Sequence, residues 1–228
     1  WHVRVIEAQD APAPGSSGNA QSALQCRLQK LQSPSYAFAL HAYLFAARHY
    51  QQLSLEHDFS WQACGLLQLP KATNKKSDLT FHELEKIYAA QVIREVDIEL
   101  ASSLSGAKLN QGAWLLPLGG WLDPGLLCRA YLSHPNIELN LSTSIEHLEQ
   151  TDKQWEVHDK VAACFTSDVV VIANNYLAKQ FSQTADLPIT PVRGQASYLP
   201  STEQSSSIKA VICGERTIFP AYNGSHTV

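Results

Sequence analysis

The stretch Asp168-Val169-Val170-Val171-Ile172-Ala173 predicts the fold class of this chain. Four consecutive β-branched residues favour a strand, and an unbroken apolar run is typical of a strand that is buried on both faces of a parallel sheet. Residues 2–7 carry a second, shorter β-forming run that ends at an acid. We therefore expect a parallel sheet layer in this chain.

Helix and strand patterns alternate along the rest of the sequence. Residues 35–54 place apolar side chains at helical spacing, and Ser35 is a suitable N-cap. A second helix is expected over 79–95, and a third begins at Pro124 with Asp123 as its cap. Further strands are expected at residues 64–69, 113–117, 137–141, 145–149, 155–158, 162–166, 194–199, 208–213 and 217–219. The mixture indicates an α/β or α+β chain.

Composition excludes several classes of protein. The chain has 228 residues, of which 45% are hydrophobic, and a net charge of −4, so it is too apolar and too weakly charged to be disordered. It has no run of about 18 apolar residues that could span a membrane, and its first residues do not form a signal peptide. It has no Met and begins in an expected strand, which indicates an internal piece of a larger protein.

The cysteines, the histidines and the net charge indicate which compartment and which ligands to expect for this chain. The five cysteines form no C-x-x-C pair, which favours structural thiols in a reducing compartment and hence a cytoplasmic protein. The nine histidines show no metal-ligand spacing, so we predict no metal site. The acidic balance argues against nucleic-acid binding by bulk charge alone. The one basic loop, at Lys71, Lys75 and Lys76, is either a solvated surface or a phosphate contact.

Four segments carry residue types that suit a ligand site. Glu7, at a strand end, can accept hydrogen bonds from the ribose hydroxyls of an adenine dinucleotide. Residues 15–21 place two glycines around hydroxyls, which lets backbone N–H groups approach a ligand. Trp121 follows Gly119-Gly120 and forms either a pocket wall or a core ring over a tight turn. Arg193 suits a carboxylate or phosphate. The structural alternatives are a solvated acid, an ordinary Gly/Ser loop and a surface Arg.

Taken in chain order, these segments resemble the flavin-dependent amine oxidases of the D-amino-acid oxidase and glycine oxidase superfamily. The resemblance rests on Glu7 with residues 11–13, and on residues 17–24, 64–69, 119–124, 169–173, 180–184, 191–195 and 220–224. Within that superfamily, the set is most similar to the C-terminal oxidoreductase part of bifunctional enzymes that modify the wobble uridine of tRNA.

The resemblance implies an FAD-binding Rossmann-like domain interleaved with an antiparallel-sheet substrate domain. Residues 1–228 would then be a fragment of one FAD-dependent oxidase domain, truncated at both ends. Residues 1–35 and 120–180 would belong mainly to the FAD-binding part. Residues 36–119 and 181–228 would belong mainly to the substrate part.

The resemblance also implies an activity. FAD would oxidise the secondary amine of 5-carboxymethylaminomethyl-uridine at the tRNA wobble position, and the carboxymethyl arm would leave to give 5-aminomethyl-uridine. A methyltransferase domain of the same polypeptide, which uses S-adenosylmethionine, would then methylate that amine. Two alternatives stay open: a small-molecule amine or amino-acid oxidase of the same superfamily, and a non-catalytic RNA-binding module on a degenerate oxidase fold.

Site residues follow from the resemblance by position. The FAD-binding set is Glu7 at the ribose, Ser17, Gly18, Asn19 and Gln21 along the pyrophosphate and flavin, Ser144 and Ile145 beside the adenine, and Ala173 at the end of the buried strand. The substrate-side set is Trp121, Arg193 and Gln195. No residue is assigned as a catalytic base.

The sequence departs from the superfamily pattern at several points. The glycine turn for the pyrophosphate is expected ahead of Trp1, and a closing flavin-contact segment is expected beyond Val228. Asn174-Asn175 stands where relatives often carry Gly, and Ser225-His226 stands near the place of a basic residue in glycine oxidases. We expect this chain by itself to bind FAD weakly or not at all, because an anion site without its helix N-terminus loses most of its donors.

Overall fold

A computed structural model describes residues 1–29, 34–70, 80–160, 162 and 164–228. The basic loop expected at residues 71–77 lies outside this part. The chain folds as two compact units: unit 1 is Trp1–Ser16 with Tyr131–Gln195, and unit 2 is Ser17–Ala130 with Ala196–Val228. These boundaries differ from the division expected from the sequence. No helix in the described part has the length and apolar character needed to cross a membrane.

The elements alternate along the chain. The helices are α1 (Pro34–Leu53), α2 (Phe81–Leu84), α3 (Ile98–Ser105) and α4 (Pro124–Leu132). The strands are β1 (Val3–Ile6), β2 (Ser22–Leu24), β3 (Leu66–Gln68), β4 (Arg94–Val96), β5 (Ala113–Leu116), β6 (Gly120–Leu122), β7 (Ile137–Asn140), β8 (Ile145–Gln150), β9 (Trp155–Asp159), β10 (Cys164–Ser167), β11 (Tyr198–Pro200), β12 (Val211–Cys213), β13 (Thr217–Ile218) and β14 (Ser225–Thr227). Short 3-10 turns occupy Ser16–Gly18, Asn175–Gln180, Ser182–Thr184 and Ser205–Ser207.

Unit 1 contains a parallel pair and an antiparallel sheet. β1 runs parallel to β7, with Val3 opposite Ile137 and Ile6 opposite Asn140. The second sheet has the order β10-β9-β8 and is antiparallel throughout. Its core-facing side chains include Leu148 and Val157, which are buried with Phe181.

The strand expected at residues 168–173 is wrong, because this segment forms no strand in the structure. Val170 and Ile172 pack against the Leu148 cluster, whereas Val169 and Val171 are 63% and 81% exposed. One side of the segment is therefore partly buried, and the other side is exposed. A central strand needs partners for its N–H and C=O groups on both sides, and no described strand pairs with this segment.

Unit 2 is built on a five-stranded sheet of order β13-β12-β3-β5-β4. Its pairs are antiparallel except β12 with β3, which is parallel, so the sheet is mixed where an antiparallel one was expected. Successive residues of β3 face opposite sides: Leu66 lies in one core cluster with Trp121, and Leu67 lies in another with Leu115. Hydrophobic side chains therefore cover both faces of this sheet at β3.

The helix expected over 79–95 is wrong beyond its first turn. α2 begins with a capping box between Thr80 and Glu83, and then ends after four residues. The chain continues into β4 and then α3, neither of which was predicted. Val92, Ile93 and Val96 are buried, and such β-branched side chains fit a sheet better than a helix. α3 has ordinary signals that could have found it: Asp97 accepts the N–H of Leu100 at 2.8 Å, and Gly106 adopts a left-handed conformation at its end.

Two other helix predictions are confirmed. α1 covers almost all of the residues expected to form it. α4 begins at Pro124, and Oδ1 of Asp123 accepts the N–H of Leu126 at 3.0 Å. These helices were predictable because their spacing and caps are local in sequence.

Candidate functional site

Glu7 lies at the carboxyl end of β1, beside the end of the parallel strand β7. Its N–H donates to Asn140 O at 2.9 Å, and its carbonyl accepts from Thr143 N at 3.0 Å. Its side-chain Oε1 accepts from Gln9 N at 2.9 Å. Within the described residues, no hydrogen bond engages Oε2. The carboxylate is thus oriented by backbone contacts and keeps one oxygen for a ligand at the strand edge where α/β sheets bind ligands.

The loop after β7 is tied to the residues around Glu7. Ser142 N donates to Gln9 O at 2.8 Å, next to the bond between Thr143 and Glu7. The structure therefore brings the predicted residue Ser144 close to Glu7 in unit 1. Ile145 follows, but its carbonyl already accepts from Gln180 Nε2 at 3.1 Å. A ligand contact by backbone atoms is consequently easier at Ser144 than at the carbonyl of Ile145.

Ala173 and the asparagine pair after it also belong to unit 1. Ala173 is exposed, and it does not end a strand. Asn175 has a φ of 57°, in the left-handed region that glycine enters most readily. Asparagine is among the few other residues that tolerate this conformation. The replacement of Gly in this segment therefore keeps the backbone shape that a Gly would supply.

The segment around residues 17–21 is anchored in unit 2. Gln21 is only 3% exposed; its Nε2 donates to Pro220 O at 3.0 Å, and its Oε1 accepts from Thr227 Oγ1 at 2.8 Å. Ala20 N donates to the hydroxyl of Tyr198 at 3.3 Å. Both polar atoms of the Gln21 side chain are thus hydrogen-bonded, which holds the loop in place. Three predicted residues precede it in the more open part of the loop: Ser17, Gly18 and Asn19.

Trp121 is a core residue, so its predicted place on the substrate side needs correction. Its side chain is completely buried, and its ring lies 5.0 Å from that of Tyr222. The tight turn expected at Gly120 is instead the start of β6, which pairs with β2. A ring with no exposed surface cannot contact a ligand directly. Trp121 is therefore part of the hydrophobic core of unit 2.

Arg193 and Gln195 lie in an exposed stretch of unit 1. The strand expected there is limited to β11, which begins at Tyr198. No described residue forms an ion pair with Arg193. His226, which stands near the place of a basic residue in glycine oxidases, is buried, and its Nδ1 and Nε2 contact Phe219 O at 2.8 Å and Ser205 Oγ at 2.9 Å. Arg193 is therefore better suited than His226 to hold a substrate carboxylate.

The structure brings together potential metal ligands that sequence spacing did not indicate. His147 and His158 are distant in sequence spacing but face each other across β8 and β9, with ring centroids 4.2 Å apart. Glu149 lies beside them, and one ligand atom from each of the three residues falls within 4.8 Å of the others. Sequence spacing missed this group because it depends on strand register.

The chain is similar to proteins of known name along its whole length. The model of the family described as FAD dependent oxidoreductase (DAO) matches residues 1–227. The bifunctional protein MnmC of tRNA 5-methylaminomethyl-2-thiouridine biosynthesis is 33% identical over 228 residues in Pseudomonas syringae pv. syringae (strain B728a) and covers the whole chain. Its counterpart from Chromobacterium violaceum is 34% identical over 231 residues and covers 99% of the chain. The chain spans 34% of the length of each.

Solved structures share the fold. The glycine oxidase from Bacillus cereus ATCC 14579 superposes with a TM-score of 0.78 at 17% identity, over 99% of this chain and 65% of that one. The glycine oxidase from Geobacillus kaustophilus gives a TM-score of 0.72 at 16% identity, over 99% of this chain and 63% of that one. These identities bear on the fold alone. Because the family model covers almost every residue, this chain belongs to the FAD dependent oxidoreductase family.

Proposed function

We propose that the protein containing this chain is an FAD-dependent oxidase that acts on the secondary amine of 5-carboxymethylaminomethyl-uridine at the wobble position of tRNA. The observation that carries this proposal is the identity of 33% over the whole chain to a relative named for tRNA 5-methylaminomethyl-2-thiouridine biosynthesis. In support, the chain belongs to the FAD dependent oxidoreductase family.

The reaction balances as a two-electron oxidation followed by hydrolysis. A hydride leaves the CH₂ of the carboxymethyl arm, and nitrogen loses its proton, so that a C=N bond forms. Water adds to this bond, and the arm departs as glyoxylate, which leaves 5-aminomethyl-uridine. FAD, when bound, supplies the acceptor for the two electrons. The protein's part is to bind and orient the amine, and no described residue is assigned as a base.

We propose that residues of this chain bind the adenosine end of FAD. Oε2 of Glu7 would accept a hydrogen bond from a ribose hydroxyl, and the bond from Gln9 N to Oε1 would orient the carboxylate for this contact. Ser144 would approach the adenine, and the open backbone at Ser17, Gly18 and Asn19 would approach the phosphates and flavin. We propose that unit 1 holds the nucleotide end. Residues 1–35 and 120–180 would remain mainly cofactor-binding, and residues 36–119 and 181–228 mainly substrate-binding.

Arg193 is the residue that we propose for the carboxylate of the carboxymethyl arm. Its guanidinium is exposed and lies two residues before Gln195, which would offer an amide to the same region. A guanidinium can bind a carboxylate through two parallel hydrogen bonds, which fixes orientation as well as position. Loss of this pairing should raise the KM for the modified tRNA more than it lowers kcat.

One helix face offers a contact for the tRNA itself. α1 contains no Asp or Glu, although the chain is acidic overall. Phe45 is 61% exposed and stacks on His49 with centroids 5.4 Å apart at 13°, and Arg48 lines the same surface groove. Aromatic and guanidinium planes stack on unpaired bases such as those of an anticodon loop. We propose this face for tRNA binding. The double variant Phe45→Ser/Arg48→Ser should weaken tRNA binding, and unchanged affinity would remove the face from the proposal.

We also propose a second reaction and a cellular compartment for the protein that contains this chain. The word bifunctional in the relatives' names supports a second active site on the same polypeptide. We assign it to a methyltransferase domain that uses S-adenosylmethionine to methylate the freed amine. Cys26, Cys64, Cys128 and Cys213 are all free thiols, which supports a reducing compartment such as the cytoplasm.

The first experiment is the visible absorption spectrum of the intact purified protein, followed by two assays. Flavin bands together with glyoxylate release from modified tRNA are expected. Oxidation of free glycine or sarcosine alone would replace this proposal with the small-molecule oxidase. A protein that stays colourless after FAD addition but binds tRNA would replace it with the RNA-binding module.

Glu7 gives a sharper test of cofactor binding. Glu7→Gln keeps the shape of the side chain but removes the charge that strengthens its hydrogen bond to ribose, so the Kd for FAD should rise about tenfold. The matched control is Glu203→Gln, an exposed acid of unit 2, which should leave the Kd unchanged. Equal Kd values for both variants would show that Glu7 does not contact FAD.

A further inference from the structure

The outer face of the β8–β9 ladder gathers four potential metal ligands. In the antiparallel register, His147 is opposite His158, and Glu149 is opposite Glu156. Alternate residues of a strand share a face, so both pairs lie on the same side. Leu148 and Val157 point the other way, into the core of unit 1. The ligand-bearing face is therefore supported from behind by a packed hydrophobic layer.

A β-bulge creates the histidine pair. The register shifts between Ile145 and His147, so that Glu146 is the extra residue of β8. Without this shift, His147 would be opposite Val157, and its ring would not meet that of His158. Bulges of this kind re-aim side chains and are frequent beside functional sites.

His158, the less exposed of the two histidines, has a ring nitrogen that lacks a hydrogen bond among the described residues. Nε2 of His158 is buried and has no hydrogen-bond partner within the described part of the chain. Its nearest acidic atom is Oε2 of Glu156, at 3.5 Å, beyond good hydrogen-bond geometry for this pair. The two imidazole rings are nearly parallel, at 6°. A buried ring nitrogen without a partner is destabilising, and a bound cation would remove that cost.

We propose that His147, Glu149 and His158 bind a zinc ion, with Glu156 available as a fourth ligand. Two imidazole nitrogens and carboxylate oxygens are a donor set that zinc accepts in tetrahedral geometry. The three ligand atoms already lie within 4.8 Å of one another. His147 and Glu149 are exposed, so their side chains can rotate inward to complete the coordination. Lys160 pairs with Glu146 at 3.5 Å.

Zinc titration of the intact, untagged protein after chelator treatment tests this site. Isothermal titration calorimetry should give one equivalent of zinc per chain, and cobalt should give the visible absorption of a tetrahedral complex. His147→Ala and His158→Ala should each weaken zinc binding more than about tenfold, since each removes a direct ligand. His41→Ala, an exposed histidine of α1, is the matched control and should bind zinc like the parent protein.

These zinc-binding measurements do not depend on oxidase activity. Far-UV circular dichroism of each variant must match that of the parent, which separates ligand loss from unfolding. Glu149→Gln supplies a second, milder variant that should reduce affinity while preserving the ladder. Absence of zinc binding to the parent protein, or equal affinities for the parent, His147→Ala and His158→Ala, would overturn the proposal.

Discussion

Replacement of Gly120 by Ala should destabilise unit 2 strongly. Gly120 begins β6, next to a backbone bridge in which Gln62 N donates to Trp121 O at 2.9 Å and Trp121 N donates to Gln62 O at 3.1 Å. A Cβ on Gly120 would lie 1.9 Å from Gln62 O, whereas real Cβ atoms essentially never approach closer than 3.0 Å. The two segments must therefore separate by roughly an ångström, which breaks both hydrogen bonds.

The expected loss of stability can be built from these contacts. Each hydrogen bond contributes about 1 kcal/mol, and the shifted core around Trp121 adds about 1–3 kcal/mol of packing strain. The free energy of unfolding should thus fall by about 3–5 kcal/mol, a large part of the roughly 5–15 kcal/mol of a typical domain.

Urea unfolding followed by tryptophan fluorescence measures this loss. Gly15→Ala is the matched control: a Cβ there meets nothing within 4 Å, so its unfolding free energy should stay close to that of the parent. The reasoning is refuted if Gly120→Ala unfolds within about 1 kcal/mol of the parent, because the close backbone approach would then carry no energetic weight.

Three further predictions concern single contacts. Asn175 has φ 57°, so Asn175→Gly should retain stability while Asn175→Val loses about 1–2 kcal/mol by thermal unfolding; equal melting temperatures would contradict the left-handed assignment. Thr227→Val leaves Oε1 of Gln21 without its 2.8 Å donor and should cost about 1–3 kcal/mol in urea unfolding, whereas no loss would show that the bond is dispensable. Burial raises the pKa of Cys26 from 9.0 to about 11; between these values the folded state binds more protons than the unfolded state, so stability should fall as pH rises from about 9 to 11. Unfolding free energies measured across that range should show a shallower fall for Cys26→Ala, and identical slopes would exclude the contribution of this thiol.

Local signals account for the parts of the fold that were predictable. α1 follows from helical spacing of apolar residues, and the start of α4 follows from Asp123 and Pro124. Each signal lies within a few residues of the structure it specifies. The helix expected over 79–95 failed because β4 is selected by its partner strand β5, and that partner is distant in sequence.

Part of the candidate site could also be predicted from the sequence. Glu7 was expected at a strand end, and it lies there beside the end of β7. The resemblance put Trp121 on the substrate side, although a Trp after two glycines fits either a pocket wall or a core. The packing of Tyr222 against the Trp121 ring shows that Trp121 is a core residue.

The sequence by itself determined the mixed α/β class, the main helices, the position of Glu7 and the resemblance to flavin-dependent oxidases, since these rest on local patterns and their order. Only the tertiary structure decided which face of residues 169–173 is buried, that Gln21 anchors its loop, and that His147 meets His158. The physical reason is register: a one-residue bulge or slip exchanges the two faces of a strand, and the partner that sets it lies elsewhere in the chain.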